Sequence, residues 1–225
     1  YDYVNTGRRA DTVYVESIDG LAGREFSQKR VVLASDDYPE DLTCHVRDPK
    51  VWRDADGRYH MVLGARRRVD GPHIESHFCA MHGEGAGRDV GEILVYGSAD
   101  MLSWELESRV STPERFGFMW ECPDLFELDG ELILVCCPQG VPADGWRYRN
   151  PHQCVWFPIE ADWEAPSFKI VGKGMPPMVD AGFDFYAPQS FEDAAGRRLM
   201  IGWSGCPDAT TESPTAARGW QCALA

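Results

Sequence analysis

One strand–turn–strand unit is written three times in this chain, and a repeat of that kind constrains the fold more than any other feature. Its clearest copy is Trp120-Glu121-Cys122-Pro123-Asp124-Leu125-Phe126-Glu127-Leu128-Asp129-Gly130, followed by the β-forming run Glu131 to Cys137. A second copy runs from Asp48-Pro49-Lys50-Val51-Trp52 through Gly57 to Tyr59-His60-Met61-Val62-Leu63. A third runs from Tyr186-Ala187-Pro188-Gln189-Ser190-Phe191 through Gly196 to Leu199-Met200-Ile201-Gly202-Trp203. The prolines Pro49, Pro123 and Pro188 stand 74 and 65 residues apart, and a turn glycine follows each by seven or eight residues. Self-similar all-β units point to a propeller or an array, with blades longer than the ~40–50 residues of WD40 or kelch repeats. The prolines are expected to open strands.

Each copy places an acid, Asp48, Glu121 or Asp184, which the repeat predicts just ahead of its strand. The innermost strands of a propeller face one axial channel, so the three acids are expected to converge there. For any one of them taken singly, an exposed loop position is the simpler account.

The chain between the repeats reads as further strands. Thr12–Val15 and Arg30–Leu33 form the outer part of one blade; Ile93–Tyr96 and Trp104–Leu106 continue the second. Gln153–Phe157 and Phe168–Val171 complete the central blade, and Trp220–Leu224 is the third strand of the last. Ser98 to Trp104 looks like a tight turn, and the Gly-, Pro- and Trp-rich link Gln139–Asn150 like a loop over the channel mouth. The apolar spacing is period two throughout. His73, His77, Cys79 and His82 lie in a Gly-rich passage, but their spacing matches no zinc pattern, and an irregular surface insertion is the better reading.

Composition narrows the function classes. A net charge of −14 without a basic tract argues against nucleic acid and anionic membrane as partners. No apolar run approaches a membrane span, and the N-terminus lacks the basic-then-apolar layout of a signal peptide. The chain opens on Tyr1 rather than methionine, which points to a segment upstream. Eight cysteines without a CxxC pair, most in apolar strand-like segments, read as reduced thiols of a cytoplasmic protein.

The chemistry sits on the acids. Glycoside hydrolysis needs two carboxyl groups in different environments, one able to hold a proton near neutral pH. Glu121 lies among Trp120, Cys122, Pro123, Leu125 and Phe126, and apolar neighbours disfavour the ionised form. Asp48 follows Arg47, whose cation keeps an acid ionised. A structural Arg47–Asp48 ion pair with an ordinary strand-edge Glu121 is the competing reading.

These residues also resemble a known family. Arg47-Asp48-Pro49 resembles the RDP motif of glycoside hydrolase family 32, the invertase, inulinase and sucrose-phosphate hydrolase family, and Trp120-Glu121-Cys122-Pro123 resembles its EC motif. Asp180-Ala181-Gly182-Phe183-Asp184-Phe185-Tyr186-Ala187 is similar to its D-x-G-x-D-F-Y-A segment, and Ile201-Gly202-Trp203 to the strand that follows. All four occur in the family's order between positions 47 and 203. The resemblance implies an all-β, five-bladed β-propeller, with residues 1–225 forming part of one catalytic domain, about three and a half blades, incomplete at both ends. It implies Glu121 as general acid/base and Asp48 as the transition-state stabiliser that binds fructose hydroxyls. Arg47, Cys122, Asp180, Asp184 and Trp203 would line or support the fructose site. It also implies retention through a covalent fructosyl-enzyme, on an aspartate of a W-M-N-D-P-N-G-like motif. Residues 1–225 contain no such motif and no C-terminal β-sandwich, so no nucleophile is assigned and the chain by itself is expected to be a poor, aggregation-prone catalyst.

The implied substrates are β-D-fructofuranosides: sucrose first, then sucrose 6-phosphate or short fructo-oligosaccharides, with no metal or organic cofactor. Arg66-Arg67-Arg68 or Arg8-Arg9 are candidates for a substrate phosphate, although solvated loop charges are the simpler account. Two alternatives remain: a non-catalytic sugar-binding propeller fragment, and a related five-bladed glycosidase acting on arabinosides or xylosides. The oligomeric state is not legible.

Overall fold

The computed structural model describes residues 2–4, 7–69, 88–205, 216–218 and 223–224. Among the described residues, fifteen strands form five antiparallel sheets, and the helical content is three short 3-10 turns. His73, His77, Cys79 and His82 lie outside the described residues, as do Cys206 and Cys222.

Two sheets are complete four-stranded meanders. The first contains β5 (Leu42–Arg53), β6 (Tyr59–Arg67), β7 (Val90–Ser98) and β8 (Glu105–Val110), paired in that order. The second contains β9 (Met119–Leu128), β10 (Glu131–Gln139), β11 (Val155–Asp162) and β12 (Ser167–Ile170), again in order. A third sheet holds β13 (Phe185–Glu192), β14 (Arg198–Ser204) and β15 (Ala223–Leu224). Ahead of them lie the hairpins β1 (Asp2–Val4) with β2 (Gly7–Arg9), which the strand pattern does not foretell, and β3 (Thr12–Tyr14) with β4 (Arg30–Leu33). Sequential up-and-down sheets stacked face to face are the blades of a β-propeller.

The blades are joined by three apolar layers. Leu33, Leu42, Met61, Leu63, Leu94 and Tyr96 fill the space between the β3–β4 hairpin and the first full blade. Val62, Ile93, Val95, Trp120, Leu125 and Leu134 belong to the layer between the two full blades. Phe126, Ile133, Val135, Cys137, Cys154 and Tyr186 seat the β13–β14 sheet on the second.

This stacking explains the strand sequences. In β6, Met61, Leu63 and Ala65 point into one layer and Val62 into the next, so the strand is apolar on both faces. β10 does the same, with Leu134 and Cys136 on one side and Ile133, Val135 and Cys137 on the other. Period two therefore sorts residues between two cores here, and not between core and water. The in/out form returns at β14, where Met200 packs inward and Leu199, Ile201 and Trp203 are exposed.

The prolines do not open strands. Each lies inside the innermost strand of its blade, at a β-bulge. Asp48-Pro49 faces Leu63 alone, Cys122-Pro123 faces Cys136 alone, and Ala187-Pro188 faces Gly202 alone, each between regular pairs. Two residues opposite one leave an unpaired backbone position, which suits a residue that has no N–H to offer the ladder. The residue before each proline has positive φ: 62° at Asp48, 48° at Cys122 and 49° at Ala187. Left-handed conformations at non-glycine residues cost roughly 1–3 kcal/mol each. Their recurrence at one place in three blades marks the ring where the strands are bent to a purpose.

Candidate active site

Aligned on the prolines, the three acids are not equivalent. Asp48 precedes its proline by one residue, Glu121 by two and Asp184 by four. Asp48 and Glu121 lie within β5 and β9, and only Asp184 stands ahead of its strand. The residues that do correspond are Arg47, Glu121 and Tyr186, two before the proline, and these meet.

Glu121 is the hub. Its Oε1 accepts from Arg47 Nε at 2.8 Å and also from Arg47 Nη2. Its Oε2 accepts from Gln139 Nε2 at 2.8 Å and from the Tyr186 hydroxyl. The side chain retains 15% exposure and that of Arg47 9%, so the carboxyl faces a shielded polar cradle. This corrects the reading from neighbouring residues in the sequence. Trp120 and Phe126 point into the apolar layers, and the groups on the carboxyl oxygens are polar ones from three strands.

Arg47 likewise chooses Glu121 over its sequence neighbour. Its Nε stands 4.0 Å from Asp48 Oδ2, beyond hydrogen-bond reach. Asp48 instead accepts from Cys122 N–H at 3.0 Å and from Cys122 Sγ at 3.6 Å, and keeps 32% side-chain exposure. The bulges account for both contacts. A regular strand sends consecutive side chains to opposite faces, whereas here Arg47 and Asp48 both reach β9, touching Glu121 and Cys122.

A second ring lies one residue past the prolines. Lys50 Nζ donates to Ser190 O at 2.6 Å and stands 3.5 Å from Asp124 Oδ1. The other oxygen of Asp124 accepts from Ser190 N–H at 2.5 Å, and Asp124 is fully buried. Gln189 Nε2 donates to Cys122 O at 3.3 Å. These bonds tie β5, β9 and β13 together directly beside the bulges.

Two titrating groups beside the hub are strongly shifted. Burial, then the neighbouring Cys137 and Glu121, pushes the Tyr186 phenol far up, so it remains a neutral donor. The Cys122 thiol is raised by its hydrogen bond with Cys137 and by burial.

The remaining predicted residues lie between Asp180 and Trp203. Asp180 turns back on its own loop, accepting from Gly182 N–H at 2.5 Å. Trp203 faces Tyr186 across β13–β14 and is 47% exposed, and Asp184 lies two residues ahead of Tyr186. The loop Gln139–Asn150 starts at a ligand of Glu121, and Asn150 Nδ2 donates to Gly182 O at 3.3 Å.

Of the arginine candidates, Arg66 is buried against Asp89 at 2.7 Å and under Phe118, and Arg67 is bonded to Glu92 at 3.0 Å. Arg9 pairs with Asp11 and Asp36, and the side chain of Arg8 lies outside the described residues. Among the described residues no cluster of three or more His, Cys, Asp or Glu is arranged to hold a metal. No helix among them is long and apolar enough to cross a membrane.

Tyr186 and Gln139 are the site residues that the sequence reading did not single out. Tyr186 had a signal: it occupies the same place before its proline as Arg47 and Glu121. Gln139 had none, since it arrives at the end of β10 by strand pairing.

The sequence model described as the glycosyl hydrolases family 32 N-terminal domain matches residues 4–74 and 68–225. The chain belongs to glycosyl hydrolase family 32. This family 32 chain is 38% identical over 188 residues to a sucrose-6-phosphate hydrolase of Klebsiella pneumoniae, covering 81% of the chain and 35% of that protein. It is 36% identical over 210 residues to the sucrose-6-phosphate hydrolase of Bacillus subtilis, covering 91% and 38%. Among solved structures, a Bombyx mori GH32 beta-fructofuranosidase superposes with a TM-score of 0.68 at 30% identity, covering 89% of the chain and 39% of that structure. The chain thus spans little more than a third of the length of these relatives.

Proposed function

We propose that this family 32 domain hydrolyses β-D-fructofuranosides, with Glu121 as general acid/base and Asp48 binding fructose hydroxyls. The observation that carries the reading is the pairing of a carboxyl held by Arg47, Gln139 and Tyr186 with a second carboxyl, more exposed, on the adjoining bulge. A carboxyl gripped by fixed donors is oriented to deliver a proton to one place, and an exposed one bonded by Cys122 N–H is oriented to receive hydroxyls. Cys122 and Arg47 support the pair, and Asp180, Asp184 and Trp203 form the outer wall of the sugar site.

The proposed route is retention through a fructosyl-enzyme. Residues 1–225 contain no W-M-N-D-P-N-G-like segment, so its nucleophile is not assigned to any residue named here. Sucrose 6-phosphate is the preferred substrate by the names of the relatives at 36–38% identity, with sucrose second. The phosphate would not be held by Arg66 or Arg67, which are committed to Asp89 and Glu92. Residues 1–225 are read as part of one catalytic propeller domain. Free thiols at Cys122, Cys136, Cys137 and Cys154 favour a cytoplasmic location.

The test is fructose release from sucrose 6-phosphate and from sucrose by the full-length protein, with Glu121→Gln beside it. Loss of a general acid is expected to cost about 10²–10⁴-fold. Equal rates for the two proteins would overturn the acid/base assignment. Sugar binding without fructose release from either would instead favour a non-catalytic propeller.

A further inference from the structure

His45 lies on β5 two residues before Arg47, on the same face of the strand. It is buried at 3% exposure, and its backbone N–H donates to Thr43 Oγ1 at 3.2 Å. The stretch around it is irregular: between the pairs Leu42↔Arg67 and Val46↔Ala65, three residues of β5 face Arg66 alone. His45 Nδ1 stands 2.8 Å from Arg47 Nη1. A guanidinium has donors only and keeps its charge at any ordinary pH. Arg47 is therefore the donor, and Nδ1 must present a lone pair. In a neutral ring that places the proton on Nε2.

Arg47 is thus gripped at both ends of a rigid fork. His45 holds Nη1, while Nε and Nη2 point at Glu121 Oε1. Because the fork is planar, fixing Nη1 fixes the direction of the other two donors. Asp48 Oδ2 is a competing acceptor, 4.0 Å from Arg47 Nε. A guanidinium released at Nη1 can turn towards it and leave Glu121.

We propose that His45 is a positioning residue for the reaction, keeping Arg47 on Glu121 and away from Asp48. This rests on the reading of Glu121 as the general acid. Arg47 cannot accept a hydrogen bond, so while it stays in place Oε1 is closed to the catalytic proton. The proton is confined to Oε2, beside Gln139 and Tyr186. Tyr186 can accommodate it, since a hydroxyl can accept as well as donate. If Arg47 turns away, Oε1 opens and the proton divides between two oxygens, only one of which faces the leaving group.

The experiment uses the full-length protein and two substrates: sucrose, whose leaving group needs a proton, and p-nitrophenyl β-D-fructofuranoside, whose leaving group departs without one. His45→Leu keeps much of the volume and removes the acceptor. It is expected to lower kcat/KM on sucrose about 10- to 100-fold, the range of a charge-assisted hydrogen bond, with a much smaller loss on the nitrophenyl substrate. His45→Asn sets an oxygen near the place of Nδ1 and is expected to stay within about fivefold of wild type on sucrose. A space-filling role predicts the opposite order, Leu above Asn, and equal losses on both substrates; either result overturns the proposal. If His45→Leu does not fold, His45→Asn against His45→Gln carries the comparison, because Gln sets its oxygen near Nε2. Equal rates for those two would be equally damaging. Glu121→Gln separates the two levels of inference. Its full activity on sucrose removes the acid reading and His45 with it. An inactive Glu121→Gln beside a fully active His45→Leu removes His45 alone.

Discussion

Gly64 is the position where a single added methyl should disturb the site most, and the reason can be worked from the backbone. It pairs with Arg47 on one side and Ile93 on the other, in the middle of β6. A Cβ built there would stand 2.2 Å from the Trp120 carbonyl oxygen, 3.2 Å from its carbon and 3.3 Å from Glu121 Cα. The obstacle is backbone, so no side-chain rotation relieves it. An ordinary carbon–oxygen contact needs over 3 Å, so β6 and β9 must part by about 1 Å. Trp120 is wholly buried and stacked on Phe157, which leaves β9 little room to retreat.

Gly64→Ala is therefore expected to destabilise the domain by about 1–3 kcal/mol through overpacking. It should also lower kcat/KM about 100-fold, because a 1 Å shift of a catalytic group is costly. The two effects are separable by urea unfolding and by steady-state rates on sucrose well below the unfolding midpoint. Gly130→Ala is the control: its φ is +82° with nothing within 4 Å, so it strains one turn and should leave the rate unchanged. Wild-type stability and activity in Gly64→Ala would mean that β6 and β9 are not in this contact. Lost stability with unchanged activity would mean that Glu121 does not depend on where β9 lies.

Two further outcomes are expected. Asp124→Asn keeps the shape but removes the charge facing Lys50, and should cost about 2–4 kcal/mol in urea unfolding, with part recovered in the Lys50→Met/Asp124→Asn pair; strictly additive losses would count against a coupled junction. Burial pushes the phenols of Tyr96 and Tyr186 and the thiols of Cys136 and Cys137 upwards, so the folded protein binds more protons than the unfolded chain above about pH 8.5–10. Stability from these groups is full below that window and falls as pH rises through it, so urea midpoints should decline from pH 8 to 10.5, and a flat profile would contradict the burial.

What the sequence disclosed and what it withheld divide along one physical line. The repeat was legible because its unit is a local object: the first two strands of each blade are joined by a short turn, and β-forming runs with glycine turns mark them without reference to other blades. The family motifs were legible for the same reason, since Arg47-Asp48-Pro49 and Trp120-Glu121-Cys122-Pro123 are contiguous. The partners of Glu121 were not. Reading along the chain put Leu125 and Phe126 beside it and Arg47 beside Asp48; the fold puts Arg47, Gln139 and Tyr186 on its oxygens from 74, 18 and 65 residues away. The inversion comes from the bulge. A strand that alternates strictly would expose either Arg47 or Asp48 to the next blade, and the proline with a left-handed residue before it exposes both. The prolines that announced the repeat are thus also the devices that build the site, and their alignment assigns Tyr186 the place that a search for acids had given to Asp184.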